Sequence, residues 1–418
     1  MHSLREKVKE QLVLSSDVKS LRIIDKILHL AIAAEAEEII FEPDRQGLAV
    51  VFHSHGEGKK IFVLSEKIAA SVRQGLKAAG GVYPLTGKNL TDGKFKKDFL
   101  GYKIVFSLAV RATSAGEKII VGLQKKQFEL KGVGRLGLAK KSAEAVKRIL
   151  QKRKGLLLVA GSGDSGVTTT LYSFLNYVNQ PHLSAATIEK EIACDLPNVN
   201  QSRLDPLSGF SADLAIRSLA RQDSEVVMIG ELDDFYTAEA AMQLALSGHF
   251  VLAGVNSPTI VSALSVLRDL SVSAPLFNAA VKLVLAQRLI DGNCPYCLVK
   301  DRPNTNTFKK IKEKINFNEL LKKMRRDRIV SSRASRLEQF TFYKNKGCAK
   351  CRQTGKLGKI GIFEILEITP AVKKIIKANH LNLIGTEIIK QGNYSLAEDA
   401  LTKAMNGLTK ISEVVKLL

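Results

Sequence analysis

The stretch Gly155 to Tyr172, GLLLVAGSGDSGVTTTLY, limits this chain more than any other. Leu156 to Ala160 is an apolar run of strand length that stops at Gly161, with further glycines at 163 and 166. Thr168, Thr169 and Thr170 then lead into a helical pattern through Leu171, Phe174, Leu175 and Val178. Strand, glycine loop, helix is the setting in which backbone N–H groups and a helix N-terminus converge on an anion. The pattern to match is G-x-x-x-x-G-K-[ST]. Gly161, Gly166 and Thr168 fit it, but Val167 stands in the place of the lysine. The candidate phosphate-contacting residues are Gly161, Ser162, Gly163, Asp164, Ser165, Gly166, Val167, Thr168 and Thr169.

A chain of 418 residues with 45% apolar content holds two or three domains, each able to bury a core. It has no apolar run of membrane-spanning length, and its N-terminus, MHSLREKVKE, lacks the apolar region of a signal peptide. The expected location is the cytoplasm. A net charge of +22 attracts anionic lipid, nucleic acid or acidic proteins, although a lysine-rich solvated surface accounts for it equally well. Tryptophan is absent and aromatics are few, so no base-stacking platform is visible and nucleic acid is not the first choice.

In chain order, residues 1–20 form a basic amphipathic leader. Residues 21–125 form a small α+β domain. It contains a helix from Leu21, a hairpin of Glu38–Pro43 with Ala49–Phe52, a helix over Glu66–Ala79, and strands at Tyr102–Val110 and Lys118–Gly122. A glycine-bearing linker, 126–137, precedes a cationic helix capped by Ser142 and running to about Arg153. Over 138–290, apolar runs at Ser184–Glu189, Val226–Ile229 and Phe250–Val255 alternate with helices, which argues for a parallel sheet. Residues 291–360 carry two cysteine pairs flanking a basic helical segment, Phe308–Arg333. From Gly361 to Leu418 the pattern is mostly helical.

Four of the five cysteines form Cys294-Pro-Tyr-Cys297 and Cys348-Ala-Lys-Cys351. Two C-x-x-C pairs offer four thiolates to a tetrahedral zinc ion, and such a module needs its metal to fold. A redox pair is the alternative; Cys194 is left over as an inert thiol.

Taken together, the order of motifs resembles the traffic ATPases of type II secretion and type IV pilus assembly from about Ile23 to Leu418. The resemblance rests on Glu42-Pro43, Gly116-Glu117-Lys118, Thr187-Ile188-Glu189, Arg217 to Asp223, and Met228 to Glu231. It continues through Thr237-Ala-Glu239, Ser247-Gly248-His249, Ala286 to Leu289, Gly361 to Glu364, and Glu398-Asp399 with Gly407. It implies an α/β fold: a RecA-like P-loop ATPase domain, an N-terminal PAS-like α+β domain, a tetracysteine zinc insert and a helical C-terminus. It further implies a homo- or hetero-hexameric ring, an inner-membrane platform partner, and a place at the inner face of the plasma membrane. The family's larger N-terminal extension is expected to be absent or reduced to the first 20 residues. Glu231 corresponds to the water-activating base, Glu189 to the start of the aspartate box, and the cofactors implied are structural zinc and ATP with Mg2+.

Several positions depart from the family pattern. Val167 replaces the loop lysine and Asp164 a glycine. Lys190 replaces an acid after Thr187-Ile188-Glu189, Asp233 an arginine after Glu231, and Asn256 the residue of a lost histidine box. Arginines that reach a neighbour's nucleotide correspond to Ser107 and Gly122. Losing a charge-assisted lysine contact costs about 1.5–3 kcal/mol, and an aspartate about 5 Å from the phosphates adds about 3 kcal/mol of repulsion unless it faces solvent. Asp164 and Lys190 are expected to pair in the emptied phosphate site. The reading is a family member that hydrolyses ATP weakly or not at all, serving as a ring component or as a regulator beside an active paralogue. The alternatives are an active motor with a variant loop, and a basic module that binds nucleic acid or anionic membrane.

Overall fold

The computed structural model describes residues 18–34, 36–54, 57–82, 90–99, 102–124, 130–205, 209–330 and 335–418. The leader expected over residues 1–20 therefore lies almost wholly outside the described residues, as do linker residues 126–129. The chain divides into two compact units, Met1–Phe128 and Glu129–Leu418.

In the first unit, helix α1 (Val18–Ala33) precedes strands β1 (Glu38–Asp44), β2 (Gly47–Ser54) and β3 (Glu57–Leu64). Helix α2 (Glu66–Ala79) leads to β4 (Leu90–Phe99), β5 (Tyr102–Thr113) and β6 (Gly116–Gln124). The strands form one antiparallel sheet in the order β3-β2-β1-β6-β5-β4. Ile27, Leu28, Phe41, Val50, Val72, Leu76, Phe106 and Val121 make its core. The β1–β2 turn needs glycine: Gly47 has φ +137°, and a Cβ there would fall 2.0 Å from the Leu64 carbonyl oxygen. Strands β3 and β4 were not legible as strands in the sequence. Both are sheet edges carrying lysines (Lys59 and Lys60; Lys94, Lys96 and Lys97), the composition that protects an edge from further pairing. Glu42 and Lys118, from two separate motifs, meet in an ion pair at 3.1 Å. Ser107 and Gly122 are direct cross-strand partners.

The second unit begins with α3 (Lys140–Lys152). Ala139, not Ser142, occupies its cap position; Ser142 is buried in the first turn, so the expected serine cap is corrected. Next come β7 (Gly155–Ala160), α4 (Val167–Val178), β8 (Ala185–Glu189), β9 (Val199–Arg203), α5 (Ala212–Leu219) and β10 (Val226–Ile229). They are followed by α6 (Phe235–Leu246), β11 (Phe250–Val255), α7 (Ile260–Asp269), α8 (Ala274–Ala280) and β12 (Val281–Asn293). Strands β13 (Leu298–Asp301) and β14 (Phe342–Asn345) form a separate hairpin, between which lie α9 (Thr305–Lys314) and α10 (Phe317–Arg326). Strand β15 (Lys356–Glu367) and helices α11 (Pro370–Lys377), α12 (Ile384–Lys390), α13 (Leu396–Met405) and α14 (Ile411–Val415) complete the unit.

Its main sheet runs β15-β12-β7-β11-β10-β8-β9. All neighbours are parallel except β15, which pairs antiparallel with β12. Strands β7, β8, β10 and β11 are buried along their whole length, as strands covered on both faces must be, which is why their sequences are continuous apolar runs. Because β11 is inserted between β7 and β10, the carboxyl ends of β7, β10 and β8 bring the glycine loop, Glu231 and Lys190 to one edge.

Residues 361–367, read as the start of a helical region, belong to β15. The basic segment 308–333 is not one helix; it breaks at Asn316, which caps α10 by accepting from the Glu319 N–H. Ile311, Leu320 and Met324 of these helices share a core with Phe342, Tyr394 and Leu401. Two buried ion pairs lie at α13, Lys323–Glu398 at 2.7 Å and Lys403–Asp399 at 2.6 Å. Among the described residues, no helix is long and apolar enough to cross a membrane.

Candidate functional site

The loop after β7 builds a cavity of about 490 Å3, lined by Gly161 to Thr168 together with Gly230, Glu231, Val255, Asn256 and Leu289. Its path is fixed from both sides. The Gly161 N–H donates to the Val255 carbonyl, and Gln287 of β12 donates to the Ser165 carbonyl at 2.8 Å. A Cβ at Gly161 would lie 2.1 Å from Ser165 Oγ and 2.7 Å from Val167 Cγ2. Asp164, where the family has glycine, takes a left-handed φ of +60°, a conformation that aspartate tolerates better than most residues. Its side chain is exposed and forms no ion pair among the described residues, so water screens its charge from the loop. Ser165 Oγ is buried and has no hydrogen-bond partner. The loop thus sets N–H groups at the start of the twelve-residue helix α4, the local form that an anion site uses. What it lacks is a cation, because Val167 is half-buried with its methyl groups toward Gly161 and Gly254.

The two candidate acids are both engaged. Glu189 is buried; it accepts from the Tyr172 hydroxyl at 2.7 Å and the Thr187 hydroxyl at 2.6 Å. Burial, followed by the Glu189 carboxylate beside it, holds the Tyr172 hydroxyl firmly protonated. Gln201 adds a contact to Tyr172 at 3.2 Å. Tyr172 and Gln201 were not singled out in the sequence as neighbours of Glu189.

Glu231 follows β10 and is half-buried. Lys190, at the end of β8, sits 2.8 Å from Glu231 Oε2 and 2.7 Å from Asp233 Oδ2. Partial burial works against the ammonium, but the Asp233 and Glu231 carboxylates outweigh it and hold Lys190 above the ordinary lysine range. The expected Asp164–Lys190 pair is therefore not formed; Lys190 turns to the acids that follow the neighbouring strand instead. A second cavity of about 210 Å3, lined by Thr168, Tyr172, Glu189, Lys190, Gly230 and Glu231, adjoins the first and shares Thr168, Gly230 and Glu231 with it.

Asn256 is exposed beside the loop, and the residues after it serve α7, whose cap is Thr259 in a reciprocal pair with Ser262. His249 lies away from this edge, with Nδ1 at 2.5 Å from the Ser224 carbonyl, which is a structural use.

Cys294, Cys297, Cys348 and Cys351 lie with their sulphurs within 4.8 Å of one another. Adjacent sulphurs are 3.7 to 3.8 Å apart. A disulfide needs about 2.05 Å, whereas four thiolates at about 2.3 Å from zinc stand about 3.8 Å apart in a tetrahedron. The geometry fits a zinc ion. Although burial opposes it, the Cys348 and Gly355 N–H groups donating to its sulphur bring the Cys351 thiol down to about 6, while burial pushes Cys294 up to about 11. Asn345 points its amide at Cys297 Sγ from 3.6 Å.

A family model described as type II/IV secretion system protein matches residues 14–416. The chain belongs to this family. Among characterised members, the type IV pilus assembly ATPase PilB of Thermus thermophilus is 27% identical over 395 residues, covering 94% of this chain and 42% of that protein. The type II secretion system ATPase E of Vibrio cholerae is 26% identical over 401 residues, covering 96% of this chain and 76% of that protein. This secretion-family chain therefore spans less than half the length of the first relative and about three quarters of the second. Among solved structures, the Legionella pneumophila ATPase DotB superposes with a TM-score of 0.65 at 16% identity, covering 94% of both chains. The pilus retraction motor PilT with bound ADP gives a TM-score of 0.61 at 18% identity, covering 94% of this chain and 96% of PilT. These likenesses establish the fold.

Proposed function

We propose that this chain is a homologue of the type II secretion and type IV pilus assembly ATPases whose own site does not turn over ATP at a motor's rate. In this reading the first unit is the family's PAS-like domain and the second its RecA-like domain with a zinc insert. The chain takes a place in a homo- or hetero-hexameric ring at the cytoplasmic face of the inner membrane, as a structural or regulatory member beside an active paralogue.

One observation carries the reading: the cradle has valine where a cation would meet the β- and γ-phosphates, and Lys190, which lines the adjoining cavity, is bound to Glu231 and Asp233. Phosphoryl transfer depends on positioning and charge stabilisation, so both changes act on the chemical step. Glu231 as a general base would have to accept a proton from water, and an ammonium at 2.8 Å occupies that oxygen. Glu189 cannot substitute without surrendering its two hydroxyl donors. The neutral pair Ser107 and Gly122 offers no cation to a neighbouring subunit's nucleotide. The cysteine tetrad would hold zinc as a structural ion that ties β13 and β14 to the start of β15. Phosphate release by the purified oligomeric chain, compared with Glu231→Gln, tests the proposal. Equal, background rates support it, and turnover that the substitution abolishes overturns it.

A further inference from the structure

Four thiolates around one dication carry more negative charge than the ion cancels, and N–H groups aimed at the sulphurs offset the excess. Two such donors in the cysteine tetrad come from the backbone: the N–H groups of Cys348 and Gly355 each lie 3.2 Å from Cys351 Sγ. Gly355 also joins the two cysteine pairs, because its carbonyl accepts from the Cys294 N–H at 3.1 Å. Only glycine fits there: φ is +69°, and a Cβ would fall 2.7 Å from the Cβ of Asn345.

Asn345, the last residue of β14, stands against that glycine and supplies a donor from its side chain. Its Nδ2 is 2.8 Å from the Cys294 carbonyl oxygen and 3.6 Å from Cys297 Sγ. An amide nitrogen carries two N–H groups, one for each of these acceptors. Turned over, the amide would set its oxygen against a carbonyl oxygen and a thiolate, neither of which donates, so the hydrogen bonds fix its orientation. The other end of the amide, Oδ1, is buried without a partner. A leucine of the same branching would avoid the cost of that unpaired oxygen, so packing alone does not favour asparagine here. What the nitrogen gains is a hold on both ends of the first pair, the carbonyl of Cys294 and the sulphur of Cys297. The neighbouring Lys346 N–H holds the Cys297 carbonyl at 3.2 Å, so residues 345 and 346 clamp this cysteine from two directions.

We infer that Asn345 is a positioning residue of the metal centre, whose amide holds the Cys297 sulphur at its ligand position and thereby sets the affinity for zinc. The inference rests on the tetrad holding zinc, as proposed above, and adds a residue outside the C-x-x-C pairs on which that hold depends. Cys351 keeps its two backbone donors whatever stands at position 345. Loss of the amide therefore acts on Cys297 first.

The test uses the full chain loaded with zinc and two variants of it. Asn345→Leu keeps the branching and removes both the donor and the unpaired oxygen; Asn345→Asp keeps the shape and turns an acceptor toward the sulphur. Competition with a chromophoric chelator should show zinc affinity lowered about tenfold to a hundredfold in both, the effect of losing a hydrogen-bond partner of a metal ligand. Alkylation of the zinc-loaded chains with N-ethylmaleimide, followed cysteine by cysteine through peptide masses, should label Cys297 ahead of Cys351 in both variants. An asparagine that serves only the fold would loosen the four cysteines together. Thermal melts of the zinc-loaded variants confirm that they fold. Affinities of both variants within about threefold of the parent would overturn the inference. So would equal labelling of the four cysteines in the variants. A parent chain that holds no zinc would overturn the zinc reading itself, whereas a zinc-loaded parent matched by both variants would overturn this inference alone.

Discussion

At the scale of single residues, the site turns on where one cation stands. The family pattern has a lysine on the loop, an acid at position 190 and an arginine at 233; this chain has Val167, Lys190 and Asp233. The signs at 190 and 233 are exchanged, and the structure shows those two side chains in contact at 2.7 Å. Val167→Lys alone should tighten nucleotide binding about tenfold, the effect of one charge-assisted contact, yet leave phosphate release at background because Glu231 remains paired. Combining it with Lys190→Asp and Asp233→Arg frees Glu231 and should lift phosphate release above that background; a flat result for the triple variant would show that the block lies elsewhere. The reciprocal sign change was visible in the sequence. The sequence alone pairs Lys190 with Asp164 on the premise that the two follow neighbouring strands. Asp164 follows β7 and Lys190 follows β8, with β11 and β10 between them. The order of strands, which no local pattern encodes, decides the partner.

At the scale of elements, ion pairs fasten the late-sequence strands and helices to the sheet. Asp291 near the end of β12 holds Lys356 and Lys359 of β15 at 2.6 and 2.5 Å. Partial burial alone would raise its pKa, but the two lysines bring it down to about 2. A carboxylate with a depressed folded pKa stabilises the protein above its unfolded value near 4 and loses that contribution as pH falls toward 2. Asp291→Asn should therefore cost on the order of 2 kcal/mol at neutral pH, with the gap to the parent closing between about pH 4 and pH 2 in denaturant titrations. A gap independent of pH would refute the pairing. Lys323→Met leaves Glu398 buried without its cation and should cost about 3–5 kcal/mol, whereas Lys323→Met with Glu398→Leu should recover most of the loss in the same titrations. The elements around the site were legible because buried parallel strands are unbroken apolar runs. The edge strands β3 and β4 were hidden by their lysines, and β15 was hidden because residues Lys356–Lys359 and the glycines at 358 and 361 break any alternation.

At the scale of the whole molecule, the chain has kept an architecture while changing the charges at one edge of it. The fold was legible from the order of motifs along the chain, and the cysteine tetrad from spacing alone, since two C-x-x-C pairs have few other uses. A single zinc ion per chain is expected by metal analysis. Its removal by a chelator, or Cys348→Ser, should lower the melting temperature and expose β13 and β14 to protease; a metal-free chain that melts like the parent would contradict a structural zinc. The central claim is that the cradle survives without the charges that drive hydrolysis. Its most direct test is steady-state phosphate release from ATP by the purified chain, parent beside Glu231→Gln: the account predicts the same background rate for both, and a parent rate that collapses in the variant would contradict it.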